Sequence, residues 1–192
     1  MSLAALLHGV HDHLLADRDL ALREGKDLGI RAIDGKPPAW PSRSHDRYYL
    51  SIHPTHWGPS PDSNSQVHMG LDEVYNVALT LTKRVGEIPP SKRTSKGYLE
   101  EIDGLEARAR KILVVMISGR YDILTLANAR ITGSDDEKIY EPLLWAGSDA
   151  SPVERGPEWF TAESRDPAAH GWTLTQHFHG ARRSQTITSS MT

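Results

Sequence analysis

The chain has 192 residues, a formal net charge of −3 and no cysteine. Its length suits one domain, and the missing cysteines exclude disulfides, zinc ribbons and thiol catalysis. Hydrophobic residues make up 38% of the chain, below the roughly 45 to 50% of ordinary soluble domains, which indicates a thin core that neighbouring subunits would steady.

An amphipathic pattern over residues 2 to 22 predicts the first helix, with Ser2 as its N-cap and Gly9 as a weak point. Its apolar stripe consists of Leu3, Leu6, Leu7, Val10, Leu14 and Leu15. The segment also carries His8, His11 and His13. At ~100° per residue, His13 lies roughly 160° from the midpoint of the other two, so the three rings cannot readily converge on one ion. We therefore favour a surface helix over a metal site.

Residues 25 to 41 read as repeated turns, and residues 47 to 53 alternate like a strand that stops at Pro54. One face of this first strand holds Tyr48, Leu50 and Ile52, and the other holds Tyr49, Ser51 and His53.

Residues 53 to 69 lack a regular pattern and predict a long loop, which in a compact domain is usually functional or disordered. We expect it to be a structured loop that contacts a partner through His56 and Trp57. The alternative is a metal or active site with His53 and His56, although no nearby acid completes a ligand set.

Residues 70 to 117 form the best-defined unit, a half-buried strand followed by a basic connection and an amphipathic helix. The strand places Tyr75, Val77, Leu79, Leu81 and Val85 on one face and Asn76, Ala78, Thr80, Thr82 and Arg84 on the other. The helix runs from about Tyr98 to Gly119. Its apolar positions are Leu105, Ala109, Ile112, Leu113 and Met116, which predicts that it lies on the apolar face of the strand.

The connection between this strand and this helix concentrates positive charge. It gathers five cations, Lys83, Arg84, Lys92, Arg93 and Lys96. Such a cluster can contact phosphate or an acidic surface of a partner protein. A solvated loop is the alternative. The net charge of the whole chain argues against wholesale binding to nucleic acid, so any DNA contact is local.

Beyond Gly119 the pattern predicts a short helix over residues 121 to 129 and a strand near Arg130 and Ile131. Residues 133 to 171 read as a long loop, interrupted by a short strand at 141 to 145. Residues 171 to 180 predict the last strand, and residues 182 to 192 predict a polar tail.

The last strand places His177 and His179 on one face, a spacing that β-barrel metal enzymes use. A metal-dependent enzyme built on this pair would need a further ligand. Asp72, Glu73 and His53 are candidates, but no spacing selects one of them. Two polar residues on a solvent or inter-subunit face are the simpler interpretation.

Together these elements predict an α+β fold in a single domain spanning residues 1 to 192. A mixed, mainly antiparallel sheet of about four strands packs against two main helices, with long loops. The element order, together with GLDEVYNVALTLTKRVGEIPP, GLEARARKILVVMI and the closing WTLTQHFHGARR, resembles the tail terminator proteins of long-tailed bacteriophages. The resemblance covers roughly residues 1 to 187.

The resemblance implies a small α+β subunit that forms a homo-hexameric ring. In that family the ring caps the tail tube and joins it to the head-proximal connector, so the expected partners are further copies of the chain, the tail tube protein and the head-closure or connector protein. DNA passing through the lumen would make non-specific contacts. The implied location is the virion, after assembly in the host bacterial cytoplasm, with no catalytic residue, metal or cofactor.

Three other interpretations stay open. The chain's long loops at 53 to 69 and 133 to 171 depart from the compact family pattern and suit another neck protein, such as a head-closure ring. A metal-dependent enzyme would use His177 and His179, and an interaction adaptor would use Trp40 and Trp57. No apolar run approaches the roughly 18 residues of a membrane helix, and no secretory signal is evident, so we expect no membrane partner.

Overall fold

A computed structural model describes residues 2–30, 48–59, 70–85, 95–133, 138–153 and 170–186. This part of the chain contains three helices and five strands. They are α1 (Ser2–Ala16), β1 (Leu28–Ile30), β2 (Tyr48–Pro59), β3 (Gly70–Val85), α2 (Ser95–Ser118), α3 (Arg120–Ala129), β4 (Leu144–Val153) and β5 (His170–Thr186). The predicted α+β class is confirmed, with one strand more than expected.

The five strands form one mixed sheet in the order β1-β2-β3-β5-β4. β1 runs parallel to β2, and the other neighbours are antiparallel. The long strands β3 and β5 pair along almost their whole length, from Gly70 opposite Thr186 to Val85 opposite His170. β3 is therefore a central strand with a partner on each side.

α1 and α2 cover one face of the sheet, which we call the helix face, and α3 packs on α1. The predicted apolar row of β3 lies there and is buried together with the stripe of α2, as expected; these residues are Tyr75, Val77, Leu79, Leu81, Leu105, Ala109, Ile112 and Met116. Gln176 of β5 lies opposite Leu79 on the same face. Its Nε2 donates to the Ala109 carbonyl at 2.8 Å, which satisfies a buried amide and ties α2 to the sheet.

The opposite, outer face of β3 is buried as well, so the prediction of a half-buried strand is wrong there. Ala78, Thr80 and Thr82 are all buried. The Thr80 and Thr175 hydroxyls are 3.0 Å apart, and Ser51 Oγ donates to the Thr80 carbonyl at 3.3 Å. Small side chains at the centre of a sheet are enclosed by their cross-strand neighbours, and sequence alternation alone does not reveal this.

α1 ends at Ala16, six residues earlier than predicted. The Asp17 carboxylate accepts hydrogen bonds from the amides of Asp19 and Leu20, both at 2.9 Å, and so forms a turn in place of a further helical turn. Leu20 and Leu22 still reach the core. The apolar pattern therefore continued past the end of the helix.

The three α1 histidines do not share one environment. His8 is exposed, whereas His11 is buried and lies 3.2 Å from Asp12 Oδ1. His13 is half-buried, with its Nε2 3.3 Å from the Val115 carbonyl. The surface interpretation is therefore wrong for His11.

α1 packs closely on α3, and Gly9 lies at the contact. A Cβ at this position would be 2.8 Å from the Ile123 carbonyl oxygen. At the end of the same contact, Arg130 donates to the Asp12 carboxylate. Burial raises the pKa of Asp12, but the hydrogen bonds from Arg130 and His11 lower it by more, so the pKa lies below its usual 3.8. Gly9 is thus a close-approach position and not a weakness.

We expect Gly9→Ala to destabilise the protein by roughly 1 kcal/mol or more. Overpacking against backbone atoms costs about 1 to 3 kcal/mol, which exceeds the gain of about 0.5 to 1 kcal/mol from replacing a helical glycine. Urea unfolding of both proteins measures the difference. Ala4→Gly at an exposed α1 position is the control for helix propensity. Higher stability of Gly9→Ala would contradict the close contact with α3.

β2 does not stop at Pro54 but continues to Pro59, with a register shift between Pro54 and His56. β1 pairs only with residues up to Ile52 of β2. Within the described residues no strand pairs with β2 on that side beyond Ile52, and proline, which has no N–H to donate, is tolerated at such an edge. Pro54 therefore does not end the strand. His56 and Trp57 therefore lie in a strand, and the loop prediction is wrong for residues 53 to 59. β1 was not predicted, because the sequence analysis assigned residues 25 to 41 to turns.

The C-terminal predictions need three corrections. There is no strand at residues 130 to 133; the amide of Arg130 donates to Ala127 and that of Ile131 to Asn128, closing the end of α3. β4 extends to Val153, so residues 146 to 153 are not a loop. β5 extends to Thr186, so the predicted tail is strand over residues 182 to 186. Residues 60–69, 154–169 and 187–192 lie outside the described residues.

Candidate assembly surfaces

A first exposed apolar surface lies on the solvent side of α2 and α3, and we call it the helix ridge. Val114, Ile117 and Tyr121 are between 45% and 64% exposed. Their spacing places them on one side of α2 and at the start of α3. The Arg120 guanidinium lies 5.0 Å from the Tyr121 ring centroid. Large apolar side chains grouped in this way favour a protein contact.

An open pocket of about 480 Å³ adjoins the helix ridge. It lies between the turn after α1 and the side of α2. Asp17 and Asp19 line it from the turn, and Arg110, Lys111 and Val114 line it from the helix. Acidic and basic side chains therefore surround apolar residues in this pocket. Such a composition suits a side chain from a docked protein.

Further exposed apolar side chains lie at the β4 edge of the sheet, and we call them the β4 patch. Leu144 pairs with His179 of the outer face and Trp145 with Phe178 of the helix face, so they flank the edge from both sides. Tyr140, Leu144 and Trp145 are between 44% and 54% exposed. Within the described residues, β4 pairs only with β5, so its other side is an open edge. A register shift lies between Trp145 and Gly147, and Gly147 has φ +142°, which favours glycine. The bulge interrupts an edge that would otherwise be regular.

The structure describes the side chain of one member of the basic cluster, Lys83. It lies in β3 opposite Tyr48, and its Nζ is 5.3 Å from the Tyr48 ring centroid. Arg108 of α2 lies over the same ring at 5.8 Å, and its Nη2 donates to the Leu20 carbonyl at 2.7 Å. Burial raises the pKa of Tyr48, and Arg108 offsets part of this. Lys83 thus packs on the protein's own tyrosine.

Two further members of the basic cluster lie on elements of the fold. Arg84 belongs to β3 and Lys96 to the first turn of α2, but their side chains lie outside the described residues, as does that of Trp57 in β2. Lys92, Arg93 and Trp40 lie outside the described residues altogether. Partner or DNA contact by this cluster stays a prediction.

The structure brings four scattered histidines to the outer face of the sheet. In one row, Ala78 of β3 has His53 on its β2 side and His177 on its β5 side; in the next, Asn76 has His56 and His179. His177 Nε2 lies 3.0 Å from Asp149 Oδ2 of β4. No three His, Asp or Glu side chains of the described residues are already gathered closely enough to hold a metal ion. Asp72 and Glu73 belong to β3, with side chains outside the described residues.

No protein family matches this chain, and no curated protein shows significant similarity to it. Among the described helices, none is by itself long and apolar enough to span a membrane. The pair formed by Asp103–Ser118 and Arg120–Ala129, bent by 66°, meets the criterion of length and composition only when its two parts are joined.

Proposed function

We propose that this chain is the subunit of a ring-shaped neck protein of a long-tailed bacteriophage, of the tail terminator type. The observation that carries the proposal is the pair of exposed apolar surfaces on different layers of the subunit. The helix ridge lies on the helical layer, and the β4 patch lies at the edge of the sheet.

Two unlike surfaces suit a head-to-tail contact, in which the helix ridge of one subunit meets the β4 patch of the next. A contact of this kind closes into a ring when the rotation between subunits allows it, whereas a two-fold dimer uses one surface twice. Ring closure also covers the open edge of β4, which would otherwise expose unpaired backbone groups.

The thin core also favours a subunit that is part of an assembly. Hydrophobic residues make up only 38% of the chain, yet the sheet contains strands of 16 and 17 residues. Strands usually have 3 to 10 residues, with about 5 or 6 the most common. Neighbouring subunits that pack against such long strands would supply stability that one small core does not.

In this proposal the ring is a homo-hexamer at the head-proximal end of the tail in the virion. It contacts the tail tube protein on one face and a head-closure or connector protein on the other. The basic cluster from Lys83 to Lys96 contacts a partner or the DNA in the lumen, and His56 and Trp57 contribute to a partner contact. The role is structural, with no catalytic residue, metal or cofactor required for assembly. A head-closure ring is the related alternative.

Electron microscopy of the purified full chain, combined with mass photometry over a range of concentrations, tests the proposal. We expect closed rings of six copies, and binding of these rings to one end of tail tubes from the same particle. Rings that bind the connector but not the tube would favour the head-closure alternative. A chain that stays monomeric at high concentration, with and without tubes, would contradict the proposal.

A further inference from the structure

The pocket beside the helix ridge has a lining that selects one kind of side chain. Leu20, Val114 and Val115 form its apolar part. Asp19 lies on the wall formed by the turn after α1, and Arg110 lies on the wall formed by α2. A side chain that fills this pocket should therefore combine an apolar body with a hydrogen-bond donor for the acidic wall.

The acidic wall holds an acceptor for such a donor. The Asp17 carboxylate is engaged within the turn, where its Oδ1 accepts the amides of Asp19 and Leu20. Asp19 is exposed, and this turn holds its backbone in place. An ionised carboxylate only accepts hydrogen bonds, at about four lone-pair positions. Asp19 is thus suited to receive an N–H from a side chain that enters the pocket.

The basic wall suits an aromatic ring. The Arg110 side chain is mostly exposed and pairs with Glu106, one turn earlier on α2. A guanidinium can keep an ion pair at its edge while its plane stacks on an aromatic ring. Lys111, which is also exposed, adds a second positive charge to this wall.

Trp145 is the exposed side chain of the β4 patch that meets these requirements. Its indole has a large apolar body, an N–H that only donates and a π face that attracts cations. It is about half exposed, and β4 fixes its position opposite the buried Phe178. Glu141, four residues earlier and exposed, carries the charge opposite to that of Lys111. The surroundings of Trp145 therefore complement the basic wall of the pocket.

We propose that Trp145 of one subunit inserts into this pocket of the next subunit, donates its Nε1–H to Asp19 and packs its ring against Val114 and Arg110. The inference rests on the ring proposed above and specifies the side chain that anchors each contact. The pocket volume of about 480 Å³ is in the range of roughly 300 to 1,000 Å³ of sites that hold whole small molecules, so an indole fits. Tryptophans that fill a partner's pocket contribute much of the binding energy of protein interfaces.

Photo-crosslinking from position 145 tests the insertion without any change to the pocket. The full chain carries p-benzoylphenylalanine at this position, and rings are assembled from equal parts of unlabelled and ¹⁵N-labelled chains. After irradiation, mass spectrometry should find crosslinks between two chains that join position 145 to residues 17–20 or 110–115. The same amino acid at position 4, which is exposed on α1, is the control and should give no crosslink to these residues.

A double-mutant cycle tests the hydrogen bond. It uses a pair of chains with one intact contact, in which an Ile117→Asp chain supplies Trp145 and a Trp145→Asp chain supplies the pocket. Adding Trp145→Phe to the first chain, or Asp19→Asn to the second, should raise the dissociation constant by about tenfold or more, the usual cost of losing a hydrogen bond to a charged group. Making both changes should cost little more than making one.

Two further variants complete this measurement. Trp145→Leu in the first chain removes both the ring and the donor and should raise the dissociation constant by more than about 30-fold. Asp103→Asn in the second chain, at an exposed position near the start of α2, is the control and should have no effect. Circular dichroism of each chain checks that it is folded.

The outcomes separate this contact from the proposed function. Closed rings in which position 145 crosslinks only to other segments, or only within its own chain, overturn the insertion and leave the ring proposal standing. Additive losses in the cycle overturn the hydrogen bond to Asp19 in the same way. A chain that never self-associates contradicts the ring and this contact together.

Discussion

Replacing Ile117 or Trp145 by Asp is expected to abolish ring formation while leaving the subunit folded. Both side chains are about half exposed in the subunit, so neither change removes a core residue. In the ring each would place a charge in an apolar contact without a partner. Losing a central interface residue typically costs about 2 to 4 kcal/mol, which is ~30- to 1000-fold in the dissociation constant of each contact. Mass photometry should show monomers where the unchanged chain forms rings.

Mixing the two variants tests whether the contact is head-to-tail. The Ile117→Asp subunit keeps its β4 patch, and the Trp145→Asp subunit keeps its helix ridge. A mixture therefore retains one intact contact and should form 1:1 dimers but no rings. Homodimers of either variant alone would indicate that each surface binds its own copy, contrary to the proposed arrangement. Ala4→Asp, which adds the same charge at an exposed position on α1, should assemble normally.

The best-predicted parts of the fold are those in which one periodic pattern coincides with one buried face. Val77 and Leu79 of β3 and Ile112 and Met116 of α2 lie where the periodicity placed them. Local spacing was enough because each of these residues has one side in the core. The extent of β2 was missed because Pro54 is tolerated only by virtue of its position in the sheet, which is a property of the tertiary fold.

The candidate surfaces show a second limit of the sequence. The end of α2 carries more apolar residues than one buried face needs, and Val114 and Ile117 are the excess. This surplus of apolar residues could have predicted the exposed helix ridge from the sequence. The grouping of the four histidines on the outer face had no such signal, because His53 and His177 become neighbours of Ala78 only through the register of three strands. A register between distant segments cannot be obtained from the alternation within each of them.

Gly119→Ala is expected to lower the free energy of unfolding by about 1 to 3 kcal/mol, the usual cost of overpacking. Gly119 joins α2 to α3, and a Cβ there would overlap the His13 ring of α1. Its backbone has φ −92° and ψ 11°, which alanine can adopt, so backbone strain does not explain the loss. The His13 ring is held in place by the Val115 carbonyl, 3.3 Å from its Nε2. Urea unfolding with an unchanged m-value measures the effect.

His13→Ala should rescue this change, because it removes the atoms that the new methyl group would strike. In that background Gly119→Ala is expected to be neutral or to stabilise by about 0.4 to 1 kcal/mol, since alanine restricts the unfolded chain. The double-mutant cycle then gives a coupling of about 1 to 3 kcal/mol between residues in direct contact. His8→Ala, at an exposed position of the same helix, should give no rescue. Gly119→Ala could instead lower the free energy of unfolding equally in the unchanged chain, in His13→Ala and in His8→Ala. Gly119 would then be needed for its backbone conformation and not to make room for the His13 ring. In that case α1 does not limit the bend between α2 and α3.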